Sequence, residues 1–314
     1  MTRPKFKAVS RAQGNNQAVK DGTVRPASFD FDWEEVPVLV KAFRRMVRGL
    51  EFDICEMALT TYICAREHGV KFTALPIFLV RGFHHAAIFR NKQAGISGPK
   101  DLEGKKIGVN RGYTVTTGVW ARGTLQEEYG VDLDKITWVL SGDEHVADYR
   151  PPANAVPLAE GETLEGMLES GELAGAVGAL EHPLLEPLIP DPVAAGMAAL
   201  KNSGVFPINH LVVVRDDVLA ANPHIAAETF KAFAESKRLY VEALKAGRIA
   251  EPTAIDKLHS RVMEATGADP LPYGLEPNRP TLEKLIDHAL AQGIITKRVS
   301  VESLFAESTL GLTG

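Results

Sequence analysis

At 314 residues the chain is longer than a single compact core usually is, and at roughly 100–200 residues per domain it reads as two. Its 45% hydrophobic and 24% charged residues are those of a globular protein, and no run approaches the roughly 18 apolar residues of a membrane helix, so no spanning segment is expected. The 35 basic and 40 acidic residues leave a formal charge of −5 with no basic stripe, which argues against nucleic acid and membrane as partners.

Met1-Thr2-Arg3-Pro4-Lys5-Phe6-Lys7 is positively charged but precedes the polar Gln13–Gln17 rather than an apolar h-region. A cytoplasmic location is therefore expected, or a periplasmic one if a signal peptide has been removed. Phe6–Ser10 reads as a first strand delivering the loop Gln13–Gln17. Val40, Phe43, Met46 and Val47 outline one face of a helix over 37–49, with Gly49 as its stop. Strand 53–57, a helix from Leu59 to near Gly69, and the apolar strand 73–80 follow, the pattern of a parallel sheet with crossover helices. Cys55 and Cys64 lie inside these apolar segments without C-x-x-C spacing and read as buried free thiols.

His85–Arg90 reads as one more strand, and the polar connection 91–98 as a lobe boundary. Strand 107–109, turn 111–114, helix 116–129, strand 136–140, helix 164–169 and strand 175–179 then build a second α/β lobe. The Pro-, Gly- and Ala-rich 181–204 reads as mostly loop. Strand 210–215 and a long helix opened by Pro223 return the chain to the first lobe, and the remainder is helical with a break at 269–274. The division expected is 1–90 plus 208–314 against 91–207, a two-lobed α/β periplasmic-binding-protein type II fold whose ligand cleft lies between the lobes.

Ligands of open α/β sheets bind beyond the carboxyl ends of strands, so candidate residues are those just after each strand. In the first lobe these are Asn15, Asn16, Glu56, Thr60, Thr61, Arg81, His84, His85 and His210; in the second, Arg111, Tyr113, Thr114, Thr116, Thr117 and Glu181. Arg111–Thr117 opens a helix, where backbone N–H groups, hydroxyls and the dipole end together seat an anion; alternatively Thr116 or Thr117 only caps the helix. Arg81 offers a bidentate fork for a carboxylate, or pairs with Glu56 or another acid. Strand alternation would send His84 and His85 to opposite faces; each histidine is a proton donor or a structural imidazole. Glu56 and the histidines lack H-x-x-x-H or H-x-E spacing, so no metal is expected. No Gly-rich phosphate loop, G-x-S-x-G or Cys–His signature is present.

Glu56–Tyr62 (EMALTTY), Arg81–His85 (RGFHH), Pro99–Lys105 (PKDLEGK), Gly108–Gly123 and Val205–His210 (VFPINH), in this order, resemble the 4,5-dihydroxyphthalate decarboxylase family, a branch of the type II binding-protein superfamily. The PKDLEGK piece marks the superfamily; the others mark the branch. The chain departs from the family pattern at Gly14-Asn15-Asn16 and at Asn110–Thr114. The resemblance implies cofactor-independent decarboxylation of a hydroxylated aromatic, phthalate-like acid to a protocatechuate-type product. His85 or His210 would protonate the ring, Glu56 would orient the histidine or bind a ring hydroxyl, and Arg81, Arg111, Thr116 and Thr117 would anchor carboxylates. The partner is then a small aromatic carboxylate, and a homo-oligomer is compatible with the sequence. The alternative is a non-catalytic solute-binding protein passing a small carboxylate to an ABC-type transporter.

Overall fold

The computed structural model describes residues 3–314; Met1 and Thr2, which begin the segment read for a signal, lie outside it. In chain order the elements are β1 (Lys5–Val9), α1 (Gln17–Lys20), β2 (Asp30–Trp33), α2 (Leu39–Gly49), β3 (Ile54–Ala58), α3 (Leu59–Glu67), β4 (Phe72–Arg81) and β5 (Ile88–Asn91). Then come β6 (Lys106–Val109), α4 (Thr116–Tyr129), β7 (Thr137–Leu140), β8 (Ala155–Pro157), α5 (Leu164–Glu169), β9 (Gly175–Val177), β10 (Leu185–Pro187) and α6 (Pro192–Ser203). The last are β11 (Ile208–Arg215), α7 (Asp216–Ala221), α8 (His224–Lys245), α9 (Ala254–Thr266) and α10 (Arg279–Ala291).

The chain divides into two compact units. The first comprises the described residues up to Gly82, Ile208–Glu283 and Val299–Gly314; the second comprises Phe83–Pro207 and Lys284–Arg298. The first crossing thus falls at Gly82 rather than residue 90, and the second unit also takes the end of α10, which the sequence placed in the first lobe. Side chains explain that: Gln292 accepts from Nε of the buried Arg122 at 2.8 Å and donates to Val119 O at 3.0 Å, both on α4.

The first unit holds a five-stranded sheet in the order β2-β1-β3-β11-β4. β1 is parallel to β2 and β3, whereas β11 runs antiparallel between β3 and β4. β4 is an apolar edge strand, and such an edge needs cover. The C-terminal segment supplies it: Ala306 N donates to Ala74 O at 2.9 Å, and Gly274 N to Pro76 O at 2.9 Å. On α2 the buried Leu39, Ala42, Phe43, Met46 and Val47 recur at helical spacing. Cys55 and Cys64 are buried thiols outside any disulfide, as their setting in apolar segments suggested.

The second unit holds a six-stranded sheet, β10-β5-β9-β6-β7-β8, with β5 antiparallel to both of its neighbours. Leu164, Met167 and Leu168 of α5 pack with Val139, Leu173 and Ala176 into its core. Two expectations fail here. His85–Ala87 is a 3-10 turn preceding β5, with Ala87 N bonded to His84 O, so His84 and His85 do not alternate along a strand. Residues 181–204 are not mostly loop but contain β10 and the twelve-residue α6. The residues that read as breakers are its ends: Asp191 accepts from Ala194 N, Pro192 occupies the first turn, and Gly204 at φ +71° closes the helix.

Candidate functional site

In the first unit, strand register builds a carboxylate–imidazole pair. Val212 lies opposite Glu56 and His210 opposite Ala58 on the antiparallel β11–β3 ladder, so Glu56 and His210 are diagonal neighbours on one face. Nδ1 of His210 donates to Oε1 of Glu56 at 2.7 Å. On the other side β1 pairs Val9 with Cys55, which brings the end of β1 alongside Glu56. There the Ser10 hydroxyl and the Arg11 amide donate to Glu56 Oε2 at 2.7 and 3.0 Å. Asn16 Nδ2 in turn donates to Ser10 Oγ and to Arg11 O, each at 2.9 Å.

The Glu56 carboxylate is fully buried, whereas the His210 side chain keeps 17% of its surface exposed, its ring edge-on to Phe43. Burial acts to raise the Glu56 pKa, but the hydrogen bond and charge of His210, then Ser10 and the Arg11 amide, outweigh it and hold the carboxyl below its ordinary value. An ionised Glu56 can only accept, so the proton of this bond sits on His210 Nδ1. Ser10 and Arg11 were not among the residues singled out in the sequence.

The other first-unit candidates serve different ends. Asn15 Nδ2 donates to Leu79 O at 2.9 Å, and Asn16 acts as second support for Glu56 through Ser10. Thr60 and Thr61 are wholly buried in the first turn of α3. Arg81 is 4% exposed, and its Nη2 is committed to Pro272 O at 3.0 Å and to Asn278 Oδ1. Burial pushes its guanidinium down to about 10, with Tyr273 and Asp269 opposing, so it remains a cation at neutral pH in a structural setting.

In the second unit, His84 and His85 are 5% and 3% exposed. The His84 ring lies parallel to Trp120 with centroids 6.3 Å apart, and His85 Nε2 lies 2.8 Å from Glu128 Oε2. Both line a cavity of about 450 Å³ walled by Phe83 and Trp120, with His288 and Lys284 at its polar side. Glu181 is exposed on the loop after β9, while His182 accepts from Leu184 N at 3.2 Å.

The anion seat at the start of α4 is real as a set of donors, and the chain fills it itself. Thr114 N and Oγ1 donate to Glu144 Oε2 at 3.2 and 2.6 Å, and Tyr113 N donates to Glu144 Oε1. Gly112 makes room: a Cβ there would meet the Glu144 carboxylate at 2.6 Å. Arg111 sits at φ +74°, an uncommon conformation for a side-chain-bearing residue, and its own amide bonds Ser141 Oγ at 2.7 Å. The helix cap is Val115, so neither Thr116 nor Thr117 caps it; they form the first turn. Tyr113 is buried under the Arg122 guanidinium, 3.8 Å from its ring centroid. Among the described residues no cluster of three or more His, Cys, Asp or Glu side chains could hold a metal ion.

No protein-family model matches the chain. In fold it is similar to the periplasmic aliphatic sulphonate binding protein of Escherichia coli, with a TM-score of 0.53 at 12% identity over 98% of this chain and 99% of that one. Two α/β units, each around a mixed sheet, define a two-lobed periplasmic-binding-protein type II fold. Sequence similarity narrows this. The chain is 30% identical over 286 residues to the 4,5-dihydroxyphthalate decarboxylase of Comamonas testosteroni, covering 85% of this chain and 86% of that protein. It is 35% identical over 168 residues to that of Pseudomonas putida, covering 49% of this chain and 65% of that protein. The chain belongs to the 4,5-dihydroxyphthalate decarboxylase family and is a carboxy-lyase.

Proposed function

We propose that the protein decarboxylates a hydroxylated aromatic, phthalate-like acid, of the 4,5-dihydroxyphthalate to protocatechuate type, with His210 as the proton donor. The observation that carries this is the 2.7 Å contact between His210 Nδ1 and the buried Glu56, which fixes the ring and leaves Nε2 as the edge that meets a ligand. His85, the other candidate donor, is 4% exposed at its side chain and gives Nε2 to Glu128, so His210 is preferred.

A ring hydroxyl para to the departing carboxylate pushes electron density to the ipso carbon. The imidazolium Nε2–H protonates that carbon, forming the new C–H bond. The C–C bond to the carboxylate then breaks, its electron pair restores aromaticity and CO₂ leaves. His210 takes a replacement proton from solvent, so each turnover consumes one proton and one carboxylate and yields one arene and one CO₂. Glu56 stabilises the imidazolium and sets its orientation. In the second unit, Arg111, exposed beside the helix start, and Thr116 and Thr117 in the same turn offer donors suited to a carboxylate. A substrate carboxylate entering the seat at Tyr113 and Thr114 must displace Glu144.

Purified protein incubated with 4,5-dihydroxyphthalate should release CO₂ and accumulate protocatechuate in equal amounts. Saturable binding of the acid with no CO₂ from it or from related hydroxylated phthalates would sink the assignment and favour a transport role.

A further inference from the structure

The reaction scheme uses Glu56 and His210 but not the buried groups behind Glu56. Ser10, buried just past the end of β1, uses its hydroxyl in both directions: Oγ accepts from Asn16 Nδ2 at 2.9 Å and donates to Glu56 Oε2 at 2.7 Å. Its main chain is pinned as well, since Lys20 Nζ donates to Ser10 O at 3.0 Å. Lys20 is itself fixed, ion-paired to Glu35 at 2.7 Å and 4.4 Å from the centroid of the Trp33 ring.

The direction of every proton in this chain follows from the contacts. Asn16 is fully buried and cannot turn its amide round, because its Oδ1 accepts from Gln13 N at 2.8 Å; Nδ2 therefore faces Ser10 Oγ and Arg11 O. A hydroxyl that accepts from Asn16 has one proton to give. Arg11 O lies 3.3 Å away and already receives Asn16, whereas Glu56 Oε2 is nearer and charged, so the proton goes to Glu56. The order is Asn16 to Ser10 to Glu56, and His210 Nδ1 meets the same carboxylate from the opposite side at Oε1.

Two donors on Oε2, the Ser10 hydroxyl and the Arg11 amide, draw the carboxylate charge toward that oxygen and away from the one that His210 bonds. Donors that share one acceptor group weaken each other, the converse of the mutual strengthening along a chain of bonds. A Glu56 stripped of the Ser10 hydroxyl pulls harder on the Nδ1 proton, and an imidazolium held that way releases its Nε2 proton less readily.

We propose that Ser10 is a positioning residue: its hydroxyl, aimed by Asn16, limits the pull of Glu56 on the His210 ring and thereby sets how readily the ring gives up a proton. Ser10 acts through Glu56 and not on the substrate. Its effect on turnover rests on His210 as the proton donor of the decarboxylation; its effect on the state of the ring does not.

Nitrogen NMR of the intact, ligand-free protein labelled with ¹⁵N-histidine tests this, with the His210 signals assigned by their loss in His210→Asn. Reading the ring nitrogens through the carbon-bound ring protons keeps solvent exchange from hiding them. In Ser10→Ala the His210 Nδ1 resonance should move downfield, as for a stronger N–H···O bond. It should move the same way by less in Asn16→Ala, which only frees the hydroxyl to turn, and return toward the wild type in Ser10→Thr. With 4,5-dihydroxyphthalate, Ser10→Ala should lose about three- to tenfold in kcat, what one net hydrogen bond is worth, with KM within about twofold. In Ser10→Ala the Asn16 amide keeps Arg11 O, and Glu56 keeps Arg11 N and His210, so this variant should fold and stay informative if Asn16→Ala does not. An Nδ1 resonance unmoved in folded Ser10→Ala would overturn the proposal, as would one that Ser10→Thr does not restore. If the wild type releases no CO₂, the decarboxylase reading falls, and the resonance still decides the proposal.

Discussion

The Glu56 carboxylate on β3 and the His210 imidazole on β11 are diagonal neighbours 2.7 Å apart, one fully buried and the other still in reach of solvent. A carboxylate behind a histidine sets its tautomer and stabilises its protonated form, and loss of such a partner typically costs 10–100-fold. Glu56→Gln should therefore lower kcat by about 10–100-fold while KM changes by less than about threefold, because the amide fills the same space without the charge. Steady-state kinetics on the purified variant checks this; a change confined to KM would place Glu56 in substrate binding instead.

The Glu144 carboxylate occupies donors that a substrate carboxylate or other anion would use. Glu144→Ala should free the Tyr113 and Thr114 amides and tighten binding of phthalate by about tenfold, the worth of one charge-assisted hydrogen bond. Weaker binding in a calorimetric titration would show that Glu144 shapes the loop and does not compete for the seat.

Arg81 is predicted to matter for stability. Asn278 accepts from its Nη2, and the Asn278 amide also donates to Pro272 O and Gly274 O at 2.9 and 2.7 Å. Asn278→Ala should cost about 1–3 kcal/mol, since it removes one acceptor from a buried guanidinium and the amide donor to Pro272 O and Gly274 O. Urea denaturation measures this, and kcat of the folded fraction should be unchanged. A variant as stable as the wild type would contradict the structural role.

Acid should destabilise the protein in two steps of the same sign. His259 has its pKa depressed by burial, with the nearby Asp256 opposing, from 6.5 to about 4, so the unfolded chain binds a proton that the folded one refuses. Its contribution is complete above about 6.5 and is lost as pH falls from there toward 4, on the order of 3 kcal/mol in all. Glu56 adds a second loss below about 4.3, as pH falls toward its lowered folded value. Melting temperatures between pH 7 and 5 should therefore fall in the wild type and fall less in His259→Leu, whose side chain never takes a proton. Equal slopes would contradict the assignment.

Much of this fold was readable in the chain because its elements carry strong periodicity. Helix 116–129, helix 164–169 and the apolar strand before Arg81 emerge with bounds that agree with the structure or differ by a residue. The errors arose where one residue type serves opposite ends: Pro192 and Gly204 read as loop punctuation but start and stop α6. Glu56 and His210 were both singled out and Glu56 was expected to orient a histidine, yet which histidine was not legible, because the pairing depends on the β3–β11 register across more than 150 residues of chain. Glu144 had a usable signal. It lies in Ser141–Glu144, just after β7, where the rule applied to the other strands would have found it. Ser10 had a weaker one, as the last residue before the loop that β1 delivers.

The central claim is that His210 delivers the proton, and the kcat values of His210→Asn and His85→Asn measured side by side on 4,5-dihydroxyphthalate test it most directly. General acid catalysis contributes about 10²–10⁴-fold, so His210→Asn should lose that much in kcat with KM nearly unchanged, while His85→Asn stays within about threefold of the wild type. Full activity in His210→Asn, or the large loss in His85→Asn instead, would contradict the account.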